Sequence, residues 1–123
     1  MDIRAEQAAA YVGRHILIDL YGATRLDDCA YIQQACEDAA RATGATIIGT
    51  FFHPFGEGYG VSGVCVLAES HLSVHTWPEH GIATFDVYVC GKCDPALAVP
   101  VLEERFKPGK TVVSLHPRGR IGG

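Results

Sequence analysis

The sequence lacks a long apolar run and a surplus of positive charge, and each absence excludes a class of protein. No stretch reaches the roughly 18 consecutive apolar residues of a membrane-spanning helix, so we expect no membrane association. The formal net charge is -4 when histidine is neutral. A mildly acidic chain without a basic stripe is a poor candidate for binding nucleic acid or anionic membranes.

A secretory signal and an even set of cysteines are also missing. Residues 1–12 place charged side chains among alanines, where a signal would have an apolar centre. The five cysteines are an odd number, which argues against a disulfide framework in a chain without such a signal. We therefore expect a cytoplasmic protein in which Cys29, Cys36 and Cys65 are small apolar residues of the core.

What the chain has is enough apolar sequence for one core. Apolar residues make up 48% of the 123 residues, a length near that of one compact domain, which predicts a single domain over 1–123. Apolar runs bounded by turn signals predict strands, and two segments with apolar residues at helical spacing predict helices. The predicted strands are 15–21, 45–52, 61–68, 82–90 and 111–115, and the predicted helices are 27–43 and 94–106.

The element order β-α-β-β-β-α-β leaves the number of central strands open, because residues 70–76 fit either an extended or a turn-like segment. The order predicts an α/β fold of the α+β type, a two-layer α/β sandwich with a mainly antiparallel sheet and both helices on one face. Residues 53–60 are a predicted loop, and the tail from Pro117 is predicted to be loose. The second face of the sheet then needs a cover, which a partner protomer would supply.

Reactive side chains concentrate between residues 53 and 93. His71, His75 and Glu79 are spaced by four, which on a helix would line one face and could bind zinc. The branched residues and the proline of this segment disfavour a helix, so we expect no metal site here.

Cys90 and Cys93 form a C-x-x-C sequence, which occurs in dithiol redox centres and as half of a zinc site. A redox motif of this kind usually opens a helix after a strand near the N-terminus, and the chain has no second C-x-x-C. We therefore interpret Cys93 as incidental to function.

A third chemistry is self-cleavage between Glu69 and Ser70. A serine hydroxyl can attack the preceding carbonyl if the backbone is strained and a polar group stabilises the oxyanion. A base then removes the Ser70 α-proton, the ester leaves by elimination, and the dehydroalanine tautomerises and hydrolyses to a pyruvoyl group. His75 is a candidate base and Ser62 a candidate hydrogen-bonding partner. Because Ser70 and His75 would face opposite sides of one flat strand, this interpretation requires a break or bulge between them.

Several runs of the sequence belong to one specific pattern. The runs are G-V-S-G-V at 60–64, A-E-S-H-L-S-V-H-T-W-P-E at 68–79 and D-V-Y-V-C-G at 86–91, with G-R-H at 13–15, D-L-Y-G at 19–22 and H-P-F-G at 53–56 upstream. Over about residues 13 to 106, the sequence resembles the prokaryotic S-adenosylmethionine decarboxylase proenzymes, which are pyruvoyl-dependent.

The resemblance implies a zymogen that cuts itself into residues 1–69 (the β chain) and 70–123 (the α chain). Ser70 would become the pyruvoyl group, the covalent cofactor that forms a Schiff base with the substrate amine. The implied product is decarboxylated S-adenosylmethionine, the aminopropyl donor of spermidine and other polyamine biosynthesis. The family also implies a cytoplasmic homodimer of processed protomers, with active sites near the interface.

The resemblance also implies roles for three residues around the cleavage site. His75 matches the proton acceptor of processing, and Ser62 matches a serine that supports the same step. Cys90 matches the cysteine that returns a proton to the substrate after carbon dioxide leaves, a role that suits a thiol because thiols are largely protonated at neutral pH. His71 and His80 are expected to be structural or surface residues.

Phe55, Trp77 and Glu79 match the substrate-binding set of the family. Aromatic faces would hold the adenine and attract the sulfonium through cation–π interaction, and the carboxylate would bind the ribose hydroxyls. A pyruvoyl-dependent decarboxylase of L-ornithine or L-arginine on the same fold is the alternative, because fold alone does not determine the substrate. An unprocessed paralogue that acts as a regulatory partner is an alternative of another class.

Overall fold

The computed structural model describes residues 10–122, so the expectation for the N-terminus falls mostly on residues 1–9, outside the described part. The described chain forms six strands and two α-helices. The strands are β1 (Tyr11–Tyr21), β2 (Ile47–Pro54), β3 (Val61–Leu67), β4 (Ser70–Trp77), β5 (Ile82–Cys90) and β6 (Lys110–Arg120), and the helices are α1 (Cys29–Ala42) and α2 (Ala98–Phe106). Two short 3-10 helices, Pro78–His80 and Pro95–Leu97, lie before β5 and α2.

All six strands join one sheet in the order β2-β3-β4-β5-β1-β6, and every neighbouring pair is antiparallel. The two helices pack on one face of this sheet and on each other. The predicted two-layer α/β sandwich of the α+β type is therefore confirmed. Neither helix in residues 10–122 combines the length and the apolar character needed to cross a membrane.

Helix α1 begins and ends where its sequence signals place it. The Asp28 carboxylate accepts a hydrogen bond of 3.2 Å from the backbone N–H of Tyr31, which satisfies one of the free donors of the first turn. Gly44 follows the last turn with a φ of 93°, a conformation that glycine adopts without strain. The buried face of the helix is made of small and branched residues, which let it lie close to the sheet: Ile32, Ala35, Cys36, Ala39 and Ala40.

The core follows from the alternation of side chains along the strands. Leu72, Val74 and Thr76 of β4 are buried beneath the helices, and the alternate residues of β4 point to the other face. Cys36 and Cys65 are fully buried in this core, as predicted for small apolar residues, and Cys29 is half-buried. Burial raises the pKa of the Cys65 thiol to about 11, which makes it an inert group of the core.

Three predicted boundaries are wrong, whereas the segment with two open predictions is extended. Residues 70–76 form a regular strand without the bulge that was required between Ser70 and His75, because β4 pairs with β3 and β5 without a register shift. Strand β1 begins at Tyr11 and not at residue 15. The tail from Pro117 is not loose, since β6 continues to Arg120 along β1. The predicted loop 53–60 is shorter, because β2 extends to Pro54.

Leucines at positions 97 and 102 test the packing of α2. Leu102 is fully buried, whereas Leu97, in the turn just before the helix, is 48% exposed. Leu102→Ala should lower the free energy of unfolding by about 2–5 kcal/mol, because a cavity remains in the core. Urea unfolding in the Ser70→Ala background measures this in a chain without the predicted cleavage, with Leu97→Ala as the matched control. Equal losses for the two variants would contradict the described packing of α2.

Candidate active site

The Glu69–Ser70 bond lies in the tight turn that joins β3 to β4. Leu67 pairs with Ser70, so only Ala68 and Glu69 form the connection. Ser70 adopts a φ of 144°, a region that residues with a side chain rarely enter and that glycine usually occupies after such turns. The one backbone distortion on β4 is therefore at the predicted nucleophile itself rather than between Ser70 and His75.

Glu69 is held by hydrogen bonds on its side chain and on its carbonyl group. Its Oε1 accepts a bond of 2.9 Å from the backbone N–H of Thr46. Its carbonyl oxygen accepts a bond of 3.2 Å from the backbone N–H of Cys90. This is the carbonyl that the Ser70 hydroxyl would attack, so the Cys90 N–H is already directed at the oxygen on which negative charge would develop.

Cys90 and Cys93 differ in environment. Cys90 is the last residue of β5 and its side chain is exposed beside the Glu69–Ser70 bond, whereas Cys93 is buried. Both thiols are free, and burial raises the pKa of Cys93. The buried Arg14 guanidinium donates a hydrogen bond to the Cys93 carbonyl oxygen and so stabilises the turn after β5. This arrangement favours Cys90 alone as the reactive cysteine.

A cavity of about 300 Å³ lies at the opposite end of β4. The sequence-predicted residues Phe55, Ser62, His75, Trp77 and Glu79 all line it, so the structure brings this set together. Tyr59 also lines the cavity, although none of the sequence motifs includes it. Its only signal was an aromatic residue within a glycine-rich loop.

The walls of this cavity are fixed by local contacts. The Ser62 Oγ and the His75 Nδ1 lie 2.9 Å apart across β3 and β4. Gly60 packs on the backbone of Thr76, and a Cβ at this position would lie 2.0 Å from the Thr76 carbonyl oxygen, so only glycine fits. Backbone bonds close the 55–60 loop and place Phe55 over the cavity.

The cleavage site and the cavity are separate within one chain. Ser70 pairs with Leu67 and Val89, whereas His75 pairs with Ser62 and Thr84. Five residues of regular strand put the Ser70 and His75 backbones about 17 Å apart. The structure thus groups Glu69, Ser70 and Cys90 at one end of β4, and it does not bring His75 or Ser62 to the Ser70 of the same chain.

A polar cluster lies beside Ser70 on the sheet face opposite the helices. The Asp86 Oδ2 accepts hydrogen bonds from the Nε2 of His15 at 2.6 Å and of His71 at 2.9 Å, and Ser73 donates to its Oδ1. Burial alone would raise the pKa of Asp86, but the bonds from Ser73, His15 and His71 outweigh it and hold that pKa below its usual value. Asp86 therefore stays ionised.

Among residues 10–122, His15, His71 and Asp86 are also the only group of three that could hold a metal ion, with ligand atoms within 4.8 Å of one another. The hydrogen bonds to Asp86 already account for this closeness. The alternative zinc set of His71, His75 and Glu79 does not form, because β4 is a strand and not a helix. Sequence reasoning missed the cluster because its members meet only through the register of β1, β4 and β5.

Comparison with known proteins agrees with this geometry. A family model described as S-adenosylmethionine decarboxylase matches residues 14–119. The S-adenosylmethionine decarboxylase proenzyme of Thermomicrobium roseum is 43% identical over 111 residues, which cover 89% of this chain and 96% of the relative. The proenzyme of Thermotoga maritima is 44% identical over 112 residues, which cover 89% of this chain and 85% of the relative.

The fold is likewise that of a solved relative. The crystal structure of the adenosylmethionine decarboxylase from Aquifex aeolicus matches with a TM-score of 0.81 and 38% sequence identity, over 91% of this chain and 94% of that one. The family model, the relatives and the fold all point the same way, and the chain belongs to the S-adenosylmethionine decarboxylase family.

Proposed function

We propose that the chain is a proenzyme that cleaves itself between Glu69 and Ser70 and then decarboxylates S-adenosylmethionine. The observation that carries the proposal is the geometry of that one bond. Ser70 has a φ of 144°, and the carbonyl oxygen of Glu69 accepts the Cys90 N–H. A strained nucleophile and a prepared oxyanion donor are the two requirements for attack by a serine on its own preceding carbonyl.

Cleavage then proceeds through an ester. The Ser70 Oγ bonds to the Glu69 carbonyl carbon, the amide C–N bond breaks, and the Ser70 nitrogen becomes a free amine. Removal of the Ser70 α-proton expels the Glu69 carboxylate and leaves a dehydroalanine. Its enamine tautomerises to an imine, and water releases ammonia to give a pyruvoyl group at residue 70. Residues 1–69 and 70–123 are the two products.

The surroundings of Ser70 fit such a group. When formed, the pyruvoyl group supplies an electron sink for loss of the substrate carboxylate. The chain supplies the rest: the Cys90 thiol is exposed on the strand next to Ser70, where it can donate a proton to the substrate carbon. The two fragments stay associated, because β4 remains paired with β3 on the other side of the cut.

We further propose that the working site combines two copies of the chain. His75 lies about 17 Å along β4 from Ser70 of its own chain, and Ser62 lies opposite His75 on β3, so neither can assist the processing of that Ser70. Both groups lie on the sheet face that the helices leave uncovered. This face exposes large apolar side chains, as expected for an interface: Leu17, Tyr21, Phe51, Val66, Trp77 and Val112.

A two-fold axis between two copies would bring His75 of one chain close to Ser70 of the other. Two sheets packed through this face, with their β4 strands running in opposite directions, place the cavity of each protomer against the Ser70 of its partner. The homodimer then contains two complete sites, and the second face of the sheet gains its cover. This proposal makes the dimer a requirement for processing as well as for substrate binding.

The cavity favours S-adenosylmethionine over ornithine or arginine. Phe55 and Tyr59 are 61% and 65% exposed at its edge, and Trp77 is 40% exposed, so flat aromatic faces are available for a purine and a sulfonium. Glu79 supplies a carboxylate for ribose hydroxyls. The relatives that match this chain carry the name of this decarboxylase. We place the product, an aminopropyl donor, in cytoplasmic polyamine biosynthesis leading to spermidine.

Loss of the nucleophile should abolish cleavage. Purified Ser70→Ala should remain one species of 13.2 kDa by intact mass spectrometry, whereas the unaltered chain should give two fragments. Ser114→Ala, which alters an exposed serine on β6, is the matched control and should be cut normally. Cleavage of Ser70→Ala at the same bond would contradict the proposed nucleophile.

Mixed dimers test whether two copies share the site. Co-expression of Ser70→Ala with a differently tagged His75→Ala chain should produce cleavage of the His75→Ala chain only, since its partner supplies an intact His75. Each variant alone should stay uncut or be cut much more slowly. Co-expressed Ser62→Ala and His75→Ala chains, both altered in the cavity, are the control without rescue. Absence of rescue in isolated mixed dimers would place the whole site within one chain.

Substrate choice is tested by carbon dioxide release from carboxyl-labelled S-adenosylmethionine, L-ornithine and L-arginine. Only the first should be decarboxylated at a substantial rate. The thioether analogue S-adenosylhomocysteine should bind about 2- to 30-fold more weakly than the substrate, because it lacks the sulfonium that cation–π attraction favours. Preferred release from ornithine or arginine would favour the alternative function.

A further inference from the structure

We propose that His71, oriented by Asp86, is the base that takes the hydroxyl proton of Ser70 in the first step of self-cleavage. The inference rests on the proposed cleavage at Glu69–Ser70 and adds to it the identity of the group that starts the reaction. It separates the two proton transfers of processing. His71 of the same chain serves ester formation, and His75 of the partner subunit serves removal of the α-proton.

The three side chains are arranged in series. The Ser70 Oγ lies 3.4 Å from the His71 Nδ1, and the His71 Nε2 lies 2.9 Å from the Asp86 Oδ2. An ionised carboxylate can only accept, so the Nε2 of His71 carries the hydrogen. The Nδ1 then presents its lone pair to the Ser70 hydroxyl. This is the relation of nucleophile, base and orienting carboxylate found in serine-dependent acyl transfer.

The Oγ–Nδ1 distance is at the long end of a hydrogen bond, as is common for catalytic pairs before the reaction. The second contact is shorter and better placed, so the ring of His71 is fixed by Asp86 while its other nitrogen is free for proton transfer. In the single chain the His71 side chain is 38% exposed, so the core does not enclose it.

Asp86 is in turn held in place by groups other than His71. Ser73 donates to its Oδ1, and the His15 Nε2 donates to its Oδ2 at 2.6 Å. The Arg118 guanidinium lies 3.1 Å from the His15 Nδ1, and since arginine can only donate, His15 is the neutral tautomer with its hydrogen on Nε2. Asp86 is therefore an anion that accepts from both histidines, and it stabilises the His71 imidazolium that forms during attack.

Formation of the ester needs no outside reagent, because one proton is carried from the Ser70 hydroxyl to the Ser70 nitrogen. The Ser70 Oγ–H proton moves to the His71 Nδ1 as the Oγ–C bond to Glu69 forms. The Cys90 N–H holds the oxyanion. When the C–N bond breaks, the same proton passes from the His71 Nδ1 to the departing Ser70 nitrogen. The base is neutral again, and the product is an ester with a free amine.

The first step can be measured alone in a His75→Ala background, where the ester forms but its elimination is blocked. Hydroxylamine cleaves esters much faster than amides, so it releases residues 1–69 only from chains that have completed the first step. His71→Asn in this background should slow hydroxylamine-dependent release about 100-fold or more, the usual contribution of a general base. His80→Asn, which alters an exposed histidine just after the cavity wall, should release the fragment at the parent rate.

Chemical rescue separates a base from a structural residue. Imidazole added to His71→Ala in the same background should restore release, and it should not speed release from the parent chain. Folding is followed by thermal unfolding and circular dichroism of each variant. A folded His71→Asn variant that forms ester at the parent rate, or a folded, slow His71→Ala variant that imidazole does not rescue, would overturn the role of His71. If the unaltered chain gave no cleavage at 69–70, the proposed function itself would fail instead.

Discussion

The unbroken pairing of β4 with β3 and β5 sets the separation between the cleavage bond and the cavity of this protein. Because β4 is regular from Ser70 to Trp77, the cleavage bond is at one end of the strand and the cavity is at the other. The same pairing sets Glu69 of the turn against Cys90 and places Ser62 opposite His75. A single chain thus contains the predicted cleavage bond and the predicted processing residues without bringing them together.

The alternation of β4 separates its structural and chemical roles. Leu72, Val74 and Thr76 face the helices and are buried, so they contribute to the core. His71, Ser73, His75 and Trp77 face the other way, on a surface that also exposes large apolar groups. Because this sheet face combines the candidate site residues with exposed apolar area, we expect that the partner that covers it also completes the sites. Folding, assembly and processing are coupled in this account through one strand.

The sequence predicted the parts of the fold that depend on local signals. Asp28 and Gly44 mark the two ends of α1, and apolar alternation identified β5. The sequence of β4 fits either a strand or a turn, because serine and histidine among its outward residues weaken the strand pattern. The end of β6 was missed because Pro117 and Gly119 resemble loop signals, although an edge strand tolerates proline.

The site residues also divide into those with a local sequence signal and those without one. Glu69, Ser70, Cys90 and most of the cavity residues were predictable because they lie in specific runs of sequence, whereas Tyr59 lies in none of them. The contacts of Asp86 with His71 and with His15 were not predictable from sequence. They join positions that are separated by 15 residues and by 71 residues along the chain, and only the strand register brings them together. The positive φ of Ser70 also depends on the geometry of the turn and has no signature in residue type.

The central claim, that Ser70 is converted by cleavage of its own chain, is tested most directly by mass spectrometry of the purified protein. We expect one fragment of residues 1–69 that ends in an unmodified Glu69. We expect a second fragment, 70–123, that is lighter than the same peptide beginning with serine, by the difference between a pyruvoyl group and a serine residue with a free amine. That second fragment should react with carbonyl reagents. An intact chain of 13.2 kDa, or a fragment that begins with unaltered serine, would contradict the account.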